Sequence, residues 1–170
     1  VNAFDWFDAE PGGFRAWLLE KDKAGGGPLM DFGCHRLEAL LHLFGPVAHI
    51  TGLNDRLHFA AREVEDTAVA LLKFESGPLA VLSITHATTT SRDTVDIYGT
   101  AGSIHIPSLN LGTLHIQRDS QIQTEAHPPH QNLHWPHIEA FTQSILENEP
   151  APVDGHTGRE VNRIMEEIYA

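Results

Sequence analysis

The sequence is poor in several things that would have assigned a class at once. It has a single cysteine, Cys34, so no intrachain disulfide can form. That fits a reducing cytoplasm and disfavours a stapled, secreted design. Lysine is nearly absent, with only Lys21, Lys23 and Lys73, and basic residues together number 11 against 23 acidic ones. The resulting net charge of −12 repels a phosphate backbone and an anionic leaflet, so nucleic acid and lipid headgroups are not expected as partners. No apolar run is long enough to span a bilayer. Val1 to Phe7 lack the basic start and apolar stretch of a signal peptide. No G-x-G-x-x-G follows a strand-like segment, so the chain carries no dinucleotide fingerprint of its own. It opens without methionine, which suggests a fragment or a processed product, and ends on Glu167-Ile168-Tyr169-Ala170 without a helix-stopping Gly or Pro, as if a helix were cut there.

What is present is one ordinary domain's worth of chain. The 170 residues are 41% hydrophobic, enough for a sizeable core. A first helix is expected over about Gly13 to Lys23, then a Gly-rich break, then a second helix from Leu29 to Phe44 that Gly45-Pro46 stops. The middle reads as strands at Val47–Leu53, Thr67–Phe74, Leu79–Thr85, Thr94–Tyr98, Ser103–Ile106 and Thr113–Gln117. Glu75-Ser76-Gly77-Pro78 and Gly99-Thr100-Ala101-Gly102 read as hairpin turns, which makes the sheet mainly antiparallel. Two closing helices are expected at Ile138–Leu146 and Arg159–Ile168. Helices at the chain ends and strands between them give an α+β fold, a large open sheet with helices packed on one face. In Ala68–Phe74 and Leu79–Ile84 both alternating sets are largely apolar, so the face without helices also wants cover, and a second copy of the chain is the economical choice.

The chemistry concentrates in Gly25-Gly26-Gly27-Pro28-Leu29-Met30-Asp31-Phe32-Gly33-Cys34-His35. With a helix beginning near Pro28, Asp31 falls in its first turn, where an acid complements the positive helix end. His35 follows four residues later on the same face, giving a carboxylate–imidazole pair suited to moving a proton. Gly33 between them leaves a bare patch of backbone that a substrate could approach. The plainer reading makes Asp31 a helix-start acid and His35 an ordinary polar residue. Arg15 and Trp17 precede the break and are candidates for the same cleft. Arg92 and Asp93, at an expected strand start, are candidates for substrate hydroxyls, with a surface turn as the alternative. Cys34 reads as a small filler and not as a nucleophile.

Four of the 12 histidines, His127, His130, His134 and His137, crowd a Pro-rich loop. Zinc binding is one reading, but no cysteine joins them and the prolines Pro128, Pro129 and Pro136 disrupt a shared helix, so no metal is expected. The other readings are a plain surface loop, or a loop at the rim of a cleft with His134 and Trp135 lining the substrate site, where an indole face could pack against C–H groups of a ligand.

The string G-G-G-x-L-x-D-x-G-x-H at Gly25 to His35 resembles the signature of the glucose–fructose oxidoreductase, inositol dehydrogenase and MocA family (Gfo/Idh/MocA). Glu65-Asp66-Thr67-Ala68 through Gly77, Asp96 through Ser103, Phe141 to Ile145 and the segment Pro150 to Val153 resemble its later strands and closing helices. The resemblance implies that residues 1–170 are a carboxy-terminal domain for substrate binding and oligomerisation, and that an amino-terminal Rossmann domain lies outside this chain. It further implies that NAD or NADP serves the full-length enzyme, with none bound to this chain alone. Hydride would pass between a sugar or polyol and the nicotinamide, with His35 as general acid/base and Asp31 positioning the hydroxyl or His35. The family's E-K-P lysine has no counterpart among the three lysines here, so the isolated chain is expected to be inactive. The competing classes are a non-catalytic binding or assembly module with the same fold, and a His-rich metal-binding protein.

Overall fold

The computed structural model describes residues 1–10 and 12–170. In chain order its regular elements are β1 (Asn2–Trp6), a 3-10 turn (Ala16–Leu19), α1 (Lys21–Ala24), a π-helical turn (Leu29–Gly33), α2 (Cys34–Phe44), β2 (Val47–Asp55), β3 (Thr67–Phe74), β4 (Leu79–Thr85), β5 (Ala87–Gly99), β6 (Gly102–Ile106), a 3-10 turn (Leu109–Leu111), β7 (Thr113–Arg118), β8 (Gln121–Ala126), α3 (Trp135–Glu147) and α4 (Gly155–Tyr169). The strands hydrogen-bond in the order β2-β3-β4-β1-β5-β6-β7-β8, an open and mostly antiparallel sheet. With the helices this is the expected α+β architecture. The chain divides into two compact units, Val1–Thr94 with Glu160–Ala170, and Val95–Arg159.

The first unit holds the main core. In β3 the buried residues are Ala68, Ala70, Leu72 and Phe74, and β4 adds Leu82 and Ile84. Against them lie Leu37 and Leu40 of α2 and Val161, Ile164, Met165 and Ile168 of α4, the last four at helical spacing. Gly52 of β2 admits α4 closely, since a Cβ there would lie 2.7 Å from Ile168 Cγ2. The other residues of the alternation point away from the helices. Val69, Leu71, Leu79 and Val81 are exposed, Val81 by 58%, and Leu53 of β2 is exposed with them. The double apolar pattern of β3 and β4 therefore corresponds to one covered and one bare apolar face.

Two expected elements need correction, and two strands were not expected at all. The helix expected over Gly13–Lys23 is a 3-10 turn and a single α turn, because Glu20 between them is extended at φ −100°, ψ 118°. The strand expected from Thr94 starts at Ala87, so Arg92 and Asp93 sit inside β5 and not on a surface turn. Two strands escaped notice. β1 inserts between β4 and β5, parallel to β4 (Ala3↔Ile84) and antiparallel to β5 (Ala3↔Asp93), a pairing no local pattern reveals. β8 (Gln121–Ala126) has Ile122 as its one large apolar residue, set among Gln121, Gln123, Thr124 and Glu125, so it carried little hydrophobic signal.

The second unit is an antiparallel meander of the end of β5 with β6, β7 and β8, followed by α3. Helix α3 begins at Trp135, inside the stretch expected to be loop, and buries none of its residues. No helix among the described residues is long and apolar enough to cross a membrane.

Candidate functional site

The glycine run is a packing device. Gly25 has φ +78° and closes α1, donating its N–H to Lys21 O at 2.8 Å. A Cβ on Gly26 would lie 2.0 Å from the Tyr169 hydroxyl, and one on Gly27 would lie 1.9 Å from Glu65 O. This close approach lets the buried Glu65 carboxylate accept the N–H groups of Gly27 (2.7 Å) and Leu29 (3.1 Å) and the hydroxyl of Tyr169 (2.9 Å). A carboxylate thus occupies the amide groups that open the helix. The same geometry decides whether this turn suits a dinucleotide. The Gly27 and Leu29 N–H groups are taken by a carboxylate, whose negative charge opposes a pyrophosphate there.

From that anchor the π-helical turn carries Asp31, and α2 begins with Cys34 and His35. His35 is exposed and Asp31 is partly buried. Asp31 Oδ2 lies 3.5 Å from Nε2 of His86, which sits just past the end of β4 and is only 4% exposed. The His86 ring is flanked by Phe7 and Phe32, each with ring centroids at 5.1 Å. Its backbone is tied on both sides, N–H to Asp66 O at 2.9 Å and C=O from Phe7 N at 3.0 Å. The Asp31 carboxyl is held below its ordinary value first by hydrogen bonding from His86. Burial opposes this, and the charges of His86, Arg15 and His35 add to the lowering. Burial pushes the Cys34 thiol up, which keeps it protonated and unreactive.

Next to His35, Arg36 clamps α2 to β5 by two contacts to Asp93 Oδ1, from Nε and Nη2, both at 2.8 Å. Asp93 is thereby a structural partner of α2. Arg15 lies over the Phe7 ring at 4.3 Å and contributes its charge to Asp31. Trp17 is exposed two residues on, and Arg92 is exposed on β5 opposite Phe4. Gly33 corrects the expectation made of it. It is buried, and a Cβ there would meet Ile84 Cδ1 at 2.4 Å, so its missing side chain serves helix-to-sheet packing and leaves no opening for a ligand. The first unit also bears a cavity of about 490 Å³ beside the glycine run, bordered by Lys21, Met30, Glu65 and Tyr169 and not by Asp31 or His35.

His134 and Trp135 belong to the second unit, at the start of α3. His130 stacks on Trp135 with centroids at 6.4 Å, and His134 meets His137 edge-on at 5.7 Å. Among the described residues no group of three or more His, Cys, Asp or Glu side chains is placed to hold a metal ion. Sequence reasoning missed His86. A lone histidine after an apolar strand has no spacing relationship to Asp31, and only the sheet brings them together. Around Asp31 the chain therefore offers an ionised carboxylate, an exposed imidazole one turn on and an arginine nearby, a set that can orient a hydroxyl and accept its proton.

Comparison with known proteins agrees with the motif. The family described as GFO/IDH/MocA C-terminal domain matches residues 2–105. D-apiose dehydrogenase of Paraburkholderia graminis is 26% identical over 152 residues, covering 85% of this chain and 37% of that protein. The crystal structure of aldose-aldose oxidoreductase from Caulobacter crescentus, complexed with glycerol, superposes with a TM-score of 0.81 at 26% identity, covering 99% of this chain and 51% of that one. An oxidoreductase from Agrobacterium radiobacter in complex with NAD+, L-tartaric acid and magnesium shares the fold, with a TM-score of 0.82 at 19% identity over 99% of this chain and 52% of that one. The chain thus spans about one third to one half of the length of these relatives.

Proposed function

The chain belongs to the Gfo/Idh/MocA family through its C-terminal domain, and from that premise we propose that it is the substrate-side domain of an NAD(P)-dependent oxidoreductase acting on a sugar or polyol. The observation that carries this reading is the pair Asp31 and His35 at the head of α2, on the family's own motif, with the charge of Arg15 acting on Asp31. Relatives that act on aldoses and on D-apiose support the sugar class. His35 is the general acid/base that takes the proton of the reacting hydroxyl, and Asp31 orients that hydroxyl. Arg15, Trp17 and Arg92, all in the first unit, are the proposed contacts to the rest of the substrate.

The nicotinamide dinucleotide supplies the hydride acceptor or donor, and it is held outside this chain by a Rossmann domain. The Glu65 carboxylate on the helix-opening amides of Gly27 and Leu29 supports that assignment, since its negative charge opposes a pyrophosphate there. The bare apolar face of β3 and β4, with Val69, Leu71, Leu79 and Val81, is the proposed contact between subunits of a homo-oligomer. The proposed compartment is the cytoplasm, whose reducing conditions the lone cysteine fits.

The test is a survey of the intact protein against aldoses, sugar nucleotides and polyols with NAD+ and NADP+, followed by absorbance of the reduced nicotinamide. Oxidation of at least one such compound supports the proposal. Tight sugar binding without any reduction of NAD(P)+ would make the protein a binding module instead. Calorimetry of the isolated chain should show no micromolar affinity for NAD(P)+, and such an affinity would overturn the placement of the dinucleotide.

A further inference from the structure

We infer that His86 is the positioning residue for Asp31: it holds one oxygen of the carboxylate and leaves the other for the substrate hydroxyl. The inference rests on the functional reading above and adds to it a residue outside the motif. Three features of the first unit carry it. His86 cannot move freely, because its N–H and C=O are both engaged in backbone hydrogen bonds, to Asp66 and from Phe7. Its ring cannot turn freely, because Phe7 lies edge-on to it at 66° and Phe32 lies tilted across it at 36°. Finally, it is buried while its Nε2 faces Asp31 Oδ2 at 3.5 Å, and the Asp31 side chain stays 32% exposed. A carboxylate has two oxygens and acceptor capacity for several donors. One oxygen fixed from the protein side and an open flank on the solvent side give the carboxylate a defined orientation toward a ligand.

The arrangement divides the roles within the site. The motif alone leaves Asp31 to position either the hydroxyl or His35. In the structure the fixed imidazole beside Asp31 is His86, and His35 remains exposed at the head of α2, free to meet a hydroxyl and exchange a proton with water. The groups acting on Asp31 are His86, Arg15 and His35, so removing His86 leaves Arg15 and His35 nearby but no fixed donor. Glutamine can restore the donor, since its amide nitrogen is carried at a similar reach from the backbone.

The experiment has two arms. In the chain described here, nitrogen NMR of the unsubstituted protein should find the His86 proton on Nε2. A bare Nε2 with the proton on Nδ1 would overturn the inference without recourse to any variant. Carbon NMR of the Asp31 carboxyl should show its titration midpoint rising in His86→Leu and staying near the unsubstituted position in His86→Gln. No movement in His86→Leu would also overturn it.

In the intact oxidoreductase, His86→Leu should lower kcat on the order of 100-fold with KM little changed, as expected for a misplaced reacting group. His86→Gln should recover most of that loss. Unchanged turnover in His86→Leu, beside loss in Asp31→Asn and His35→Ala, would refute the inference while sparing the functional reading. Unchanged turnover in Asp31→Asn and His35→Ala would refute the functional reading itself. The NMR arm would then still decide whether His86 holds Asp31.

Discussion

Replacing Tyr169 by phenylalanine removes one hydroxyl and tests how the end of α4 secures the turn that presents Asp31. Tyr169 Oη donates to Glu65 Oε1 at 2.9 Å, and the same carboxylate accepts Gly27 and Leu29 N–H. Glu65 is only 6% exposed, so water cannot readily replace a lost partner. A hydrogen bond to a charged group contributes about 1.5–3 kcal/mol, and phenylalanine keeps the ring's packing, so Tyr169→Phe should cost about 2 kcal/mol. Glu65→Ala is harsher, because it leaves the two amides and the phenol without their acceptor. At about 1–3 kcal/mol for each unsatisfied buried donor, and less than full additivity, about 4 kcal/mol is expected. That is a large part of an ordinary domain's stability of about 5–15 kcal/mol.

Urea unfolding followed by circular dichroism, on both single variants and the double variant, closes the cycle. Adding Tyr169→Phe to Glu65→Ala should cost little, giving a coupling of about 1.5–3 kcal/mol. A coupling below about 0.5 kcal/mol would refute the claim that these side chains act as one latch. An independent sign comes from alkaline titration. Burial, and then the charge and hydrogen bond of Glu65, hold the Tyr169 phenol well above its ordinary value of 10.0. Its folded value is raised, so the stabilisation is present below the unfolded value and is lost as pH rises toward the folded one. Tyr169 phenolate absorbance should therefore appear only as the chain unfolds.

Asp66 should govern stability at the acid end. It is fully buried, and burial, the largest single influence, pushes its carboxyl up. The N–H groups of Phe59, His58 and Leu57 and the hydroxyl of Thr67 outweigh burial and leave it below the ordinary value of 3.8. Its contribution is thus present above the unfolded value and lost as pH falls through the folded one. Asp66→Asn should cost about 2 kcal/mol or more near neutrality and flatten the acid limb of a stability–pH curve, and an unaltered limb would count against it. Val81→Glu should weaken self-association without unfolding the chain, because Val81 faces away from the helices. Sedimentation equilibrium that finds the unsubstituted chain monomeric at high micromolar concentration would refute association through this face.

The legible parts of the fold were those whose signals are local. β3 and β4 read correctly to the residue because an apolar alternation is bounded by Asp66 on one side and broken by Ser76-Gly77-Pro78. The helix ending at Phe44 read correctly because Gly45-Pro46 stops it. β1 was illegible because its identity depends on partners about 80 residues away, as its register of Asn2 with Ser83 shows. The motif placed Asp31 and His35 at the head of α2, but the neighbour that fixes Asp31 lies beyond it on another element. Gly33 was misread for a related reason, since a missing side chain looks the same in sequence whether a ligand or Ile84 fills the space.

The central claim is that proton transfer at the substrate hydroxyl runs through His35. In the intact oxidoreductase, with the reactive sugar or polyol identified, kcat of His35→Ala should be measured beside its affinity for NAD(P)+. The account predicts a fall in kcat of roughly 10²–10⁴-fold with dinucleotide affinity unchanged. A kcat equal to that of the unsubstituted enzyme would contradict it and assign the acid/base role to another residue.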